Sequence, residues 1–223
     1  MGLSMRDSRR DRDNRQKKTE RPVYFVMCEG MTEEQYIEFI VSSLPEKRLS
    51  IHSEQPGSNQ KTLFKAAKDA LQQCSKLDRV WILCDVDDGG DDLKKLGAAT
   101  PLAGEVKWAV SNPAIAVWLL MHNGTPTRHE HRDTFATMAK EAGLLTGRNA
   151  KTLVREELQS KSQAAVKTAE RLRKGHLTAD CIFPQDNPSS TVDFLLQAIV
   201  DDYNAHPLDP SNPGPDLTIE DLY

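Results

Sequence analysis

Short apolar runs alternate with helical patterns along the first half of this chain, and that alternation restricts the fold more than any other feature. Runs of strand length lie at Val23 to Cys28, Leu49 to Glu54, Arg79 to Asp85 and Val106 to Ser111. Helical patterns at Glu33 to Leu44, Gln60 to Leu77 and, briefly, Asp91 to Leu96 separate them. Crossovers of this kind are right-handed, so the expected fold is α/β, with a four-stranded, mostly parallel sheet flanked by helices. After Ser111 the pattern is helical only, at Ala114 to His122, Asp133 to Leu145, Leu153 to Lys174 and Thr191 to Tyr203. These helices are expected to form an extension that packs on the sheet and walls one side of a cleft. The chain then divides into an arm (1–21), an α/β core (22–112), a helical extension (113–206) and a tail (207–223). With 223 residues and 38% hydrophobic content, one well-filled core is expected.

Two of the strand-like runs end in acid. Val80-Trp81-Ile82-Leu83-Cys84 stops at Asp85-Val86-Asp87-Asp88-Gly89-Gly90, where a buried strand should emerge into a loop. Period-2 geometry puts Asp85 and Asp87 on one side of the strand end, about 6 to 7 Å apart, with Asp88 opening the turn. Carboxylates so placed suit Mg²⁺ or Mn²⁺, which prefer oxygen ligands. The plain alternative is an Asp-rich turn that caps the next helix. Val23 to Cys28 ends in Glu29-Gly30-Met31-Thr32-Glu33-Glu34. Thr32 reads as a helix N-cap and Glu33 as a first-turn acid, favoured there by the helix dipole. Glu29 has no such structural use. In open α/β sheets ligands gather at the carboxyl ends of strands, where Glu29, Asp85 and Asp87 should converge.

The pattern Glu29-Gly30-x-Thr32-Glu33 after the first strand, with Asp85-x-Asp87 after a later one, resembles the Glu and DxD motifs of Toprim-type metal sites. More narrowly the chain resembles the RloB-like family, the second component of AbiL-type abortive-infection systems. That likeness adds Ser111-Asn112-Pro113 followed by Ile115, Val117, Trp118, Leu119 and Leu120, and Asn187-Pro188-Ser189-Ser190-Thr191-Val192 before a helix. It spans Arg21 to about Tyr203. The resemblance implies a Toprim-like sheet and a metal-dependent nuclease acting on DNA or RNA, with an AAA-type ATPase as partner. It also implies that Ser111 or Asn112 lines the site.

Composition narrows the alternatives. No apolar stretch approaches the roughly 18 to 20 residues that cross a bilayer, and no signal-peptide or myristoylation pattern opens the chain, so a cytoplasmic protein is expected. Cys28, Cys74, Cys84 and Cys181 have no CxxC spacing and read as small buried hydrophobes. Residues 1–21 carry +4 and the remainder −8 of the total −4. That arm has no apolar periodicity and is expected to be disordered, with Arg9, Arg10, Arg12, Lys17 and Lys18 available to nucleic-acid phosphates. The tail, rich in Pro and Asp, is expected to be loose, although Leu217, Ile219 and Leu222 offer a docking stripe.

Around the strand-to-helix change, Pro113 fits the first position of a helix, which makes Asn112 its cap. His122, His129 and His131 share no helical face, which favours a proton-donor or phosphate role over metal ligation. In the basic stretch from Arg148 to Lys174, Lys161 is a candidate to stabilise a leaving charge. Glu29, Asp85 and Asp87 are the expected catalytic set, and with Asp88 the expected metal ligands. Glu33, Ser111, Asn112 and Lys161 are expected to support them or touch substrate. The chain contains no GxxxxGK[ST] loop, so nucleotide hydrolysis would belong to a partner. Two other readings are compatible with these residues. One is a metal- and nucleic-acid-binding or regulatory module without turnover. The other is a haloacid-dehalogenase-like phosphatase with Asp85 and Asp87 as nucleophile and acid, which leaves Glu29 without a role.

Overall fold

The computed structural model describes residues 21–223 except Ser58, Asp88, Thr125 and Thr127. Four parallel strands form its centre: β1 (Val23–Cys28), β2 (Ser50–Glu54), β3 (Arg79–Asp85) and β4 (Val106–Asn112). A two-residue strand near the C-terminus, numbered β7 in chain order (Ser189–Ser190), adds antiparallel to β4, giving the order β2-β1-β3-β4-β7. Helices α1 (Met31–Ser43), α2 (Gln60–Leu71) and α3 (Gly90–Leu96) follow the first three strands. The α/β fold with a mostly parallel sheet is therefore as expected, and β7 makes the four strands five.

Alternation along the strands sorts the core into two layers. Val26, Cys28, Trp81, Leu83 and Ala109 point to one face, and Met27, Val80, Ile82, Cys84, Trp108 and Val110 to the other. α2 and α3 cover the second face with Leu63, Ala67 and Leu93. The first is covered by α1 and by α4 (Ile115–Met121), α5 (Arg132–Glu141), α6 (Ser162–Thr178) and α7 (Val192–Ala205). β3 is buried on both faces because it lies between β1 and β4, which explains its unbroken apolar run. β2, at the edge, alternates instead between exposed and half-buried residues.

The second half departs from the helix-only expectation. A hairpin of β5 (Leu145–Thr146) and β6 (Thr152–Leu153) interrupts it, turning at Gly147 with φ of 84°. Leu145 and Leu153 are buried, and the Leu153 N–H donates to Gln35 Oε1 on α1, so the hairpin is fastened to the first helix. The helix expected from Leu153 to Lys174 is divided: Arg155–Glu157 is one 3₁₀ turn and α6 starts at Ser162. Between them Ser160 has φ of 59°, outside the helical range, and donates its N–H to the Tyr223 carbonyl. α2 stops at Leu71, six residues short of the expected Leu77, and its last turn is followed by an Asp78 side chain that accepts from Ser75 and Val23 N–H groups.

The tail is not loose at its end. Leu217, Ile219 and Leu222 are buried in the first core layer, and Asn204 clamps Leu217 by accepting from its N–H at 2.8 Å and donating to its carbonyl at 2.9 Å. Asp221 and Thr218 form a capping box that starts the final 3₁₀ turn. The expected docking stripe has docked on its own chain. Cys28 and Cys84 are buried as expected, while Cys74 and Cys181 are half-buried, and all four are free thiols. Among the described residues no helix is long and apolar enough to cross a membrane.

Candidate functional site

The parallel register brings the two acidic strand ends together. Glu29 follows β1 directly, and its N–H still donates to Leu83 on β3. Its Oε2 accepts from the Asp85 N–H at 3.0 Å, which joins residues 56 positions apart in sequence. Asp85 is the last residue of β3 and is 8% exposed. Its Oδ1 accepts from the Ile115 N–H at 2.7 Å, so it caps α4, whose own N-cap residue is an alanine. Asp87 comes to the same cleft by a different route from the one period-2 spacing implies. β3 has already ended, and Asp87 sits in a turn with φ of 43°, its N–H held by the Pro113 carbonyl. Its carboxylate pairs with the Arg132 guanidinium from the first residue of α5.

Glu33 belongs to this group more intimately than a first-turn acid would. It is 4% exposed, and a β-carbon at residue 30 would lie 3.0 Å from its Oε2, so Gly30 leaves room for the carboxylate to fold over the strand end. Gly30, not Thr32, is the N-cap of α1. The Thr32 hydroxyl instead donates to the Lys151 carbonyl at the β5–β6 hairpin. Glu29, Glu33, Asp85 and Asp87 therefore line one cleft of about 530 Å³, closed on the other side by Arg132 on α5 and by Asn149, Ala150 and Lys151 of the hairpin. The later part of the chain does wall the cleft, through a helix and a hairpin.

Electrostatics in the cleft are unfavourable to four charges at once. Two like charges about 5 Å apart repel by roughly 3 kcal/mol at an effective dielectric near 20. Burial, then the charges of Glu33 and Asp87, push Glu29 up to about 7 despite the Asp85 N–H and Arg132. Burial also raises Glu33, with Asp87 adding to it and Lys151 and Arg132 opposing. Asp85 is held well above the usual carboxylate range by burial and by Glu33, Glu29 and Asp87. Carboxylate oxygens gathered under this strain suit a hard divalent cation chemically. The side chains as they stand serve the protein: Asp85 turns to Ile115 and Asp87 to Arg132. Accordingly, among the described residues no group of three or more His, Cys, Asp or Glu is arranged to hold a metal ion.

The remaining expected residues separate. Ser111 is fully buried, with its hydroxyl 3.2 Å from that of Ser190, and joins β4 to β7. Asn112 does not cap α4. Its Nδ2 donates at 2.8 Å to both the Pro184 carbonyl and Asp186, and the residue lines a second cavity of about 340 Å³ that shares Asp87 and Arg132 with the first. Lys161 lies away from the cleft and bonds the Glu157 carbonyl and Asn123. Lys151 takes the position expected of it. His129 and His131 border the second cavity, whereas His122 is buried elsewhere. Asp88 and the arm residues Arg9, Arg10, Arg12, Lys17 and Lys18 lie outside the described residues. Arg132 is the residue that sequence reasoning missed. Its one local signal was its place beside His131 at the start of a helical pattern, and nothing there points to Asp87.

Residues 24–199 match the RloB-like protein family. No curated protein and no solved structure matches the chain.

Proposed function

This chain belongs to the RloB-like protein family, and we propose that it is a metal-dependent phosphodiesterase acting on DNA or RNA within an antiphage abortive-infection system. The observation that carries this reading is the convergence of Glu29, Glu33, Asp85 and Asp87 in one cleft at the carboxyl edge of parallel strands. The Glu-then-DxD order of those strand ends supports a Toprim-like site. Glu29, Asp85 and Asp87 are the side chains that would hold Mg²⁺ or Mn²⁺, with Asp88 beside them in sequence. Such an ion, when bound, supplies an activated water and charge stabilisation at the phosphate. Where Asp85 and Asp87 hold the ion without it, Glu29, pushed up to about 7 by burial and its acidic neighbours, suits the other role, a general base. Lys151 and Arg132 put positive charge where a polyanion must approach. An AAA-type ATPase would supply the nucleotide hydrolysis for which this chain has no phosphate-binding loop.

A second reading, binding of metal and nucleic acid without turnover, draws support from the present commitments of Asp85 to Ile115 and Asp87 to Arg132. The phosphatase alternative has less support. Asp85 spends one oxygen on a helix cap and shares its strand end with Glu29, for which that chemistry has no use. Incubation of the protein, alone and with any AAA-type ATPase encoded beside it, with Mn²⁺ and labelled DNA and RNA tests the proposal. Cleavage lost in Asp85→Asn and Glu29→Gln, with melting temperature unchanged or raised, is expected. Tight Mn²⁺-dependent binding with no cut products in any arm favours the second reading, and hydrolysis of a simple phosphomonoester alone favours the phosphatase.

A further inference from the structure

We propose that Arg132 is a two-position residue: the counter-ion of Asp87 while the cleft holds no cation, and a ligand for a substrate phosphate once Asp87 is taken by one. This rests on the nuclease reading above and adds to it a residue with a defined task. Asp87 is fixed from below, because its N–H is bonded to the Pro113 carbonyl and the Gly89 N–H closes the turn on Val86. Arg132 is not. Its side chain is 46% exposed against 25% for Asp87, and among the described residues Asp87 is its only ion-pair or hydrogen-bond partner. A guanidinium carries five donors, so the pair with Asp87 leaves bonding capacity for a second partner.

Arg173 shows what a structural arginine looks like in the same molecule. It grips both oxygens of Asp193, donates to the Ser190 carbonyl and lies over the Phe194 ring, 4.6 Å from its centroid. Arg132 has none of these additional holds. It also borders both cavities, so rotation of its side chain leaves the guanidinium at the boundary between the acidic cleft and its neighbour. A cation on Asp87 removes the attraction that holds Arg132 there and adds like-charge repulsion. The planar fork of arginine matches phosphate oxygens, which makes a phosphodiester the natural second partner.

The test uses the full chain as wild type, Arg132→Ala and Arg132→Lys, with Arg155→Ala, from the exposed Arg155–Glu38 pair, as a control. Mn²⁺ affinity is measured by calorimetry without nucleic acid. Binding of single-stranded DNA and RNA oligonucleotides is measured by anisotropy in Ca²⁺ and in EDTA. Arg132→Ala is expected to bind Mn²⁺ about fivefold tighter, the loss of a competing half-exposed ion pair. In Ca²⁺ it should bind oligonucleotide at least about tenfold more weakly, and in EDTA as wild type does. Arg132→Lys, which keeps the charge without the fork, should restore the wild-type Mn²⁺ affinity but only part of the oligonucleotide affinity. Unchanged or weaker Mn²⁺ binding by Arg132→Ala, or an oligonucleotide defect of equal size in Ca²⁺ and EDTA, overturns the inference alone. Absence of Mn²⁺ binding by the wild type overturns it together with the nuclease reading.

Discussion

The buried polar cluster beneath α4 and the acidic cleft differ in how their groups are satisfied. Beneath α4, His122 Nδ1 lies 3.1 Å from both the Trp118 and Leu119 carbonyls and so carries the ring proton. Nε2 then accepts from the Tyr223 hydroxyl at 2.9 Å, and that oxygen accepts in turn from Tyr36 at 2.6 Å. Burial pushes His122 down to about 4 and raises both tyrosines, so the whole chain of groups is neutral at physiological pH. In the cleft, Glu29, Glu33 and Asp85 are all raised because burial and mutual repulsion disfavour their charges. A neutral, fully bonded network stabilises the fold, whereas a crowd of carboxylates stabilises it only when something else brings positive charge. The first cluster holds the fold together; the second concentrates acid at an open cleft.

The largest test of that contrast is at the C-terminal turn. Leu222 is fully buried in the same layer as Tyr36 and Trp118, and Leu222→Ala should cost about 3 kcal/mol in urea or thermal unfolding. A cost below about 1 kcal/mol would mean that residues 217–223 are not part of the cooperative core.

Next, the clusters should respond oppositely to pH. His122 has a folded-state value below its unfolded one, so its stabilisation is complete above about 6.5 and is lost as pH falls toward 4, by up to about 3 kcal/mol. Glu29 has a folded-state value above its unfolded one, so its contribution is complete below the usual glutamate range and is lost as pH rises through about 7. Melting curves in EDTA should show both limbs, with His122→Gln flattening the acid side and Glu29→Gln the neutral side. Acid lability that survives His122→Gln would break the assignment.

A smaller effect is expected at Glu33, where Glu33→Gln removes one repelling charge and should raise stability in EDTA by about 1 kcal/mol. If the variant melts lower, the carboxylate is being held by the protein and the cleft is less strained than its charges suggest. That variant should also gain less from added Mn²⁺ than wild type does, since less repulsion remains to be relieved.

Legibility in the sequence followed the range of the forces involved. β1 and β3 were readable to the residue, because a buried strand needs an apolar run and a charge ends it. Glu29 and Asp85 were readable for the same reason, and the parallel register that joins them follows from the βα alternation, whereas Asp87 reaches the cleft through a turn that strand spacing did not foretell. β7 was not readable, since two serines have no strand signature and pair only because β4 offers them an edge. Asn112 looked like a cap by local rules, yet Pro184 and Asp186 claim its side chain and Asp85 does the capping from the neighbouring strand.

Local pattern thus determined the four central strands, their parallel direction and the acidic edge they share, because periodic burial and crossover handedness act along the chain. Tertiary packing alone decided that Arg132 and Lys151 face those acids, that Lys161 does not, and that the last residues close the core. Those outcomes depend on which surfaces meet after folding, and no spacing within a segment encodes the partner that a side chain finds across a cleft.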